Sequence, residues 1–297
     1  MERSVSVPSK CLIGGSYVGL IAVNVLASSK WFGLPTNSDI SAAYPASFTP
    51  AGFTFSIWGP IFLLEGAGTV AIACGAVPAS TFNAIGLPWM ATWACECLWQ
   101  FVFFTAPIPA DSVTERRRLL TLVPSAILLV SAYASMLTAG ARLRMRLPSN
   151  APWSSQIATV MLIDLPTGLN AGWLAAASGI GLTLVLQLTV PSFATPKGGA
   201  VVVTGVSCLA VVVATVIGSS FRSLAVGLAY LAATAWACFG ITRAEGVADV
   251  IATAAGRGIW IAGVGGIVAT MGAVANRCCC ESDESKSLRT PLTQRVP

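Results

Sequence analysis

Residues 48–74 read FTPAGFTFSIWGPIFLLEGAGTVAIAC, with Glu65 as the single charge in the run. A helix crosses a bilayer with about 20 mostly apolar residues, so residues 51–74 read as one membrane span. Pro50 and Ala51 stand where a helix begins, with Thr49 the expected N-cap. Phe55, Trp58, Phe62 and Glu65 follow at spacings of 3, 4 and 3, which puts three aromatics and a carboxylate on one helical face. An ionisable group inside a span is costly and marks a functional site by default. Ordinary helix packing, with Glu65 paired or protonated, fits the same spacing, and both readings stay open here.

The rest of the chain follows the same pattern. Of 297 residues, 55% are hydrophobic and 10% charged, against about 25% charged in a soluble domain. Mean hydropathy is +0.76. An ordinary cytosolic enzyme is excluded, and the fold class is an all-α, multi-pass transmembrane bundle. Eight spans are expected, near 11–29, 51–74, 84–106, 119–139, 156–188, 199–218, 223–241 and 257–276. A seven-span variant has one of the last three helices re-entrant. The fifth stretch is too long for one straight span, and Pro166 is expected to divide it into an interfacial turn and a membrane helix. Composition does not say which membrane holds the protein.

Histidine is absent, which removes the commonest general base and metal ligand. No enzyme activity, metal or resident cofactor is expected. Five cysteines, 74, 95, 97, 208 and 238, lie inside apolar runs and read as small hydrophobes. The net charge of +5 sits in short loops, where it reports orientation and not nucleic-acid binding. With eight spans, ten lysines and arginines fall on the side of the termini and seven on the other. That bias puts both termini in the cytosol, although Arg116, Arg117 and Arg118 oppose it. Cys278, Cys279 and Cys280 follow the last span, where they are either acylation candidates or an unmodified thiol cluster. Residues 278–297 read as a disordered polar tail.

Two further stretches carry polar groups within apolar sequence. In WMATWACECLWQFVFF, residues 89–104, Trp89, Trp93, Glu96 and Gln100 share one face, with Trp99 and Phe103 on an adjacent stripe. Trp89 is expected in the interfacial aromatic belt; Trp93 and Trp99 lie deeper. In IDLPTGLNAGWLAAASG, residues 163–179, Asp164 is expected near the membrane interface. Gly168 and Gly172 form a small-xxx-small pair that admits a close helix neighbour, and such small-residue faces are also where a homodimer would form. Asn170 and Trp173 lie on a neighbouring face. Aromatics with a few placed polar groups suit a hydrophobic-ligand site.

FTPAGFTFSIWGP (48–60) resembles the signature of the TspO/MBR-related family of tryptophan-rich sensory and translocator proteins. The longer segment NVLASSKWFGLPTNSDISAAYPASFTPAGFTFSIWG (24–59) resembles that family's longer branch. ECLWQFVFF (96–104) and LPTGLNAGWLAAAS (165–178) resemble two further family blocks in the same order. The resemblance covers roughly residues 20–180. It implies a five-helix core over 1–190 enclosing a pocket for porphyrins, sterols and other apolar ligands, with additional helices over 191–277. It implicates Trp58, Trp99, Phe103, Pro166 and Trp173, with residues 31–47 as a lid. Ser178 and Gly179 stand near the place of a family asparagine, and Glu65 lies outside the family pattern.

The leading expectation is a membrane protein that binds an apolar planar ligand, of the tetrapyrrole or sterol class, as sensor, carrier or scavenger. Phe55, Trp58, Phe62, Glu65, Trp93, Glu96, Trp99, Phe103, Pro166, Asn170 and Trp173 are its candidate ligand-binding residues. The rival expectation is an ion-coupled secondary transporter in which Glu65 and Glu96 titrate.

Overall fold

The computed structural model describes residues 5–29, 33, 35–44, 46–106, 114–145, 152–219 and 223–289, without the side chains of residues 28, 38 and 277–289. Among these residues every regular element is helical. In chain order they are α1 (Val7–Ser28), α2 (Asn37–Ala43), α3 (Trp58–Cys74), α4 (Ala79–Phe104), α5 (Glu115–Arg144), α6 (Trp153–Thr159), α7 (Leu165–Thr189), α8 (Pro196–Gly218), α9 (Leu224–Thr242) and α10 (Asp249–Arg289). Seven helical stretches are long and apolar enough to cross a membrane. The chain is an integral, multi-pass membrane protein, and a lipid bilayer is its surroundings.

The third expected span, α4, is not among those seven because Asn83, Glu96, Gln100 and three tryptophans dilute its hydropathy. At 26 residues it is about 39 Å long, more than the bilayer core. Four residues separate it from α3, the first of them a left-handed Gly75 with φ of 71° that turns the chain back. Packed along α5 and α1, it returns the chain to the face from which α3 set out.

The start of α3 differs from expectation. A 3-10 turn, Gly52–Ile57, precedes it, and its N-cap is Ala51 without a side-chain cap. Thr49 instead donates backward to the Ala46 carbonyl, and the Ala51 N–H is bound by the Gly240 carbonyl of α9 at 3.1 Å. At the other end of α3, Lys10 of α1 donates to the Ala73 carbonyl at 2.7 Å, placing a cation on the negative end of the helix.

Pro166 does not break the fifth span. Residues 153–189 continue as one helical stretch, with a π turn over Val160–Asp164 just before the proline. Pro166 has no N–H for the Leu162 carbonyl four residues earlier, and a widened turn lets the helix pass it. That carbonyl faces Gly68 of α3, where a Cβ would collide with it. Asp164, expected near the interface, is completely buried.

The central helix is α7, which touches α3, α5, α8 and α9. A Cβ on Gly168 would strike the Val226 carbonyl, and one on Gly172 the Tyr230 carbonyl, both on α9. The expected small-residue contact therefore forms within the chain, so this face is not open to a second copy. Through it α8, α9 and α10 join the first helices. The expected tail begins inside α10, whose helix runs to Arg289; residues 290–297 and the side chains of the cysteine triplet lie outside the described residues.

Candidate functional site

The candidate residues fall into three groups on α3, α4 and α7. The first is aromatic. Phe55, in the 3-10 turn, meets Trp173 edge-on with ring centroids 5.5 Å apart. Trp58 also meets Trp173 edge-on at 6.1 Å and stacks on Phe62 at 5.1 Å. Trp173 is buried, Trp58 and Phe62 are half-buried, and Phe55 is 41% exposed. An aromatic wall that is buried at one end and open at the other offers ring faces to a visitor.

That wall adjoins a cleft of about 350 Å³ lined by Ser56, Ile57, Pro60, Leu169, Ala232, Ala233 and Trp236. Ile57, Leu169, Ala233 and Trp236 pack in the same apolar cluster as Trp58 and Trp173. The lining is mostly apolar, with Ser56 its one hydroxyl. Trp236 Nε1–H is committed to the Thr54 carbonyl at 2.8 Å, which fixes its ring against Phe53. Phe53, Trp236 and Phe239 are not among the residues expected from sequence. Trp236 lies on α9, outside the stretch covered by the resemblance, and the close approaches of Gly240 to Thr54 and of Gly168 and Gly172 to α9 bring that helix here.

The second group is polar and lies deeper. Glu65 is completely buried, on the same face of α3 as Phe62. Its Oε1 accepts from Asn170 Nδ2 at 2.8 Å and its Oε2 from Trp93 Nε1 at 2.9 Å. Trp93 is buried and held by Tyr17 of α1, edge-on at 5.5 Å. Glu96, three residues along α4, is 4% exposed and faces Asn170 and Glu65. Trp89 is not an interfacial belt residue: it is completely buried, and its Nε1–H donates to Thr167 Oγ1 at 3.0 Å. A buried indole N–H needs an acceptor, and α7 supplies one.

The third group lies at the far end of α4. Trp99 stacks on Phe103 at 5.1 Å, and both pack near Ile40 and Tyr44 of the 31–47 segment. Helix α2 in that segment carries a capping box, with Thr36 and Asp39 bonding each other's backbone N–H. Asn37 Nδ2 donates to Gln100 Oε1 at 2.9 Å, and Gln100 Nε2 to Asn24 Oδ1 at 3.1 Å. The expected lid thus includes a short helix docked over the Trp99–Phe103 end. No ring contact among the described residues links this pair to the Trp58–Trp173 group. Pro166 is buried in α7 and contributes helix shape.

A family model described as TSPO-like protein matches residues 10–268. The match runs past the five-helix region into α10, so the added helices fall within the matched unit. No curated protein and no solved structure gave a match.

Proposed function

Because the chain belongs to the family of TSPO-like proteins, we propose that it binds an apolar, planar molecule of the tetrapyrrole or sterol class without transforming it. The role is that of a sensor, carrier or scavenger. The observation that carries this reading is the array Phe55–Trp173–Trp58–Phe62 beside the apolar cleft between the start of α3, α7 and α9. Ring stacking adds about 0.5–1.5 kcal/mol per aromatic pair beyond burial, which favours a flat ligand over a flexible chain. The trade is favourable only if the ligand slides along rings already packed, and the half-exposed Phe55 and Trp58 satisfy that condition.

Titration of a tetrapyrrole into liposomes containing the full chain tests the reading. Tryptophan fluorescence should fall saturably with no ion gradient present. Quenching that is linear in tetrapyrrole, as mere partition into lipid gives, would rule the site out.

The buried carboxyl pair supports the second reading, ion-coupled transport. There the ligand's movement would require a gradient and would stop in Glu65→Gln or Glu96→Gln.

A further inference from the structure

Two carboxyl groups and one amide meet inside the bundle with too few hydrogens between them. Glu65 and Asn170 are completely buried, and Glu96 nearly so. Asn170 Nδ2 donates to Glu65 Oε1, and Trp93 Nε1 donates to Glu65 Oε2. Neither oxygen of Glu96, nor Oδ1 of Asn170, has a hydrogen-bond partner among the described residues. Three buried acceptors therefore lack a donor within hydrogen-bond reach, although buried polar atoms are ordinarily partnered.

An amide is one-sided, since its nitrogen donates and its oxygen only accepts. Asn170 gives an N–H to Glu65, while its own Oδ1 and both oxygens of the neighbouring Glu96 are left without a donor in hydrogen-bond geometry. Rotating the amide by half a turn would hand its N–H to the other carboxyl, so it is the orientation with Nδ2 on Glu65 Oε1 that leaves Glu96 short of a donor. One of the carboxyls must bring a hydrogen of its own. The Trp93 indole decides which: it gives Glu65 a second donor and Glu96 none. Glu65 is built to be the carboxylate and Glu96 the acid.

We propose that Glu96 and Asn170 form a proton-binding site in the membrane interior, with one proton held on Glu96 and shared with Asn170 Oδ1. The titratable groups around it are Glu65 from α3, Tyr17 from α1, and Cys95 and Cys97 from α4 itself. Tyr17 is engaged, its hydroxyl donating to the Phe62 carbonyl at 2.6 Å. Asp164, in the π turn before α7, is buried six residues before Asn170 and has an interaction of its own. The charged residues of α5 lie at its two ends, 115–118 and 142–144, away from this depth. The site goes beyond ligand binding and does not require it.

Infrared spectroscopy of the full chain in liposomes, edited by ¹³C-glutamate labelling, tests the proposal in the carbonyl-stretch region of protonated carboxylic acids. At neutral pH the wild-type protein should show one such band that moves with the label. Glu96→Gln keeps the shape, brings its own N–H₂ to the Asn170 oxygen, and should lose the band; Glu65→Gln should keep it. Asn170→Leu should shift the band to higher wavenumber by removing the acceptor. A wild-type spectrum with no label-sensitive band overturns the proposal, whether or not the variants fold. So does a band that persists in Glu96→Gln or disappears in Glu65→Gln.

Discussion

Asn170 Nδ2 and Glu65 Oε1, 2.8 Å apart, join two helices across 105 residues of sequence. The bond fastens α7 to α3 beside the aromatic group, because Trp173 and Phe62 each lie one turn from its two ends. A hydrogen bond to a charged group contributes about 1.5–3 kcal/mol, and a neutral one about 1. Asn170→Leu should therefore cost about 1.5–3 kcal/mol in reversible unfolding from mixed micelles. Tyr133→Phe, which removes the single neutral hydroxyl bond to Tyr230, should cost about 1 kcal/mol. Equal losses would show that the Glu65 bond carries no charge-assisted strength.

The contact between α7 and α9 predicts a contrast between two glycines. A Cβ at Gly172 would meet the Tyr230 carbonyl and, at 2.9 Å, Ala233 Cβ, whereas nothing lies within 4 Å of one at Gly263 of α10. Gly172→Ala should destabilise by about 1–3 kcal/mol through overpacking. Gly263→Ala should be neutral or stabilise by up to about 1 kcal/mol, since alanine is the better helix former. Thermal unfolding in detergent separates them.

Gln100 links the 31–47 segment to α1 through Asn37 and Asn24. Gln100→Leu removes both links, each worth about 1 kcal/mol. Amide hydrogen exchange over 35–44 should rise while that of α7 stays unchanged. Unaltered exchange in 35–44 would mean that Ile40 and Tyr44 alone hold the segment.

Much of this was legible in the sequence. Spacing put Glu65 on one face with Phe62 and Trp58, and Trp89, Trp93, Glu96 and Gln100 on another, and all four of the latter are buried. Gly168 and Gly172 announced a close neighbour. Periodicity gives faces, however, and not partners. It could not say that Asn170 donates to Glu65 with Glu96 alongside, because that requires the crossing of three helices. It could not say that Trp89 has an acceptor on α7, so a buried indole resembled a belt residue. Pro166 read as a break because a π turn has no signature in composition. Trp236 was missed because the packing of α9 against Thr54 rests on Gly240, far along the chain.

The most direct measurement compares tetrapyrrole dissociation constants for Trp58→Ala and Trp260→Ala in liposomes. Trp58 lies in the array beside the cleft, whereas Trp260, on α10, is 79% exposed and outside it. Loss of one stacking indole costs about 1–3 kcal/mol, which weakens binding by about 5- to 150-fold at roughly 1.4 kcal/mol per tenfold. Trp58→Ala should show that loss and Trp260→Ala should bind like the wild-type protein. Equal affinities of the two folded variants would contradict a ligand site at Trp58 and Trp173.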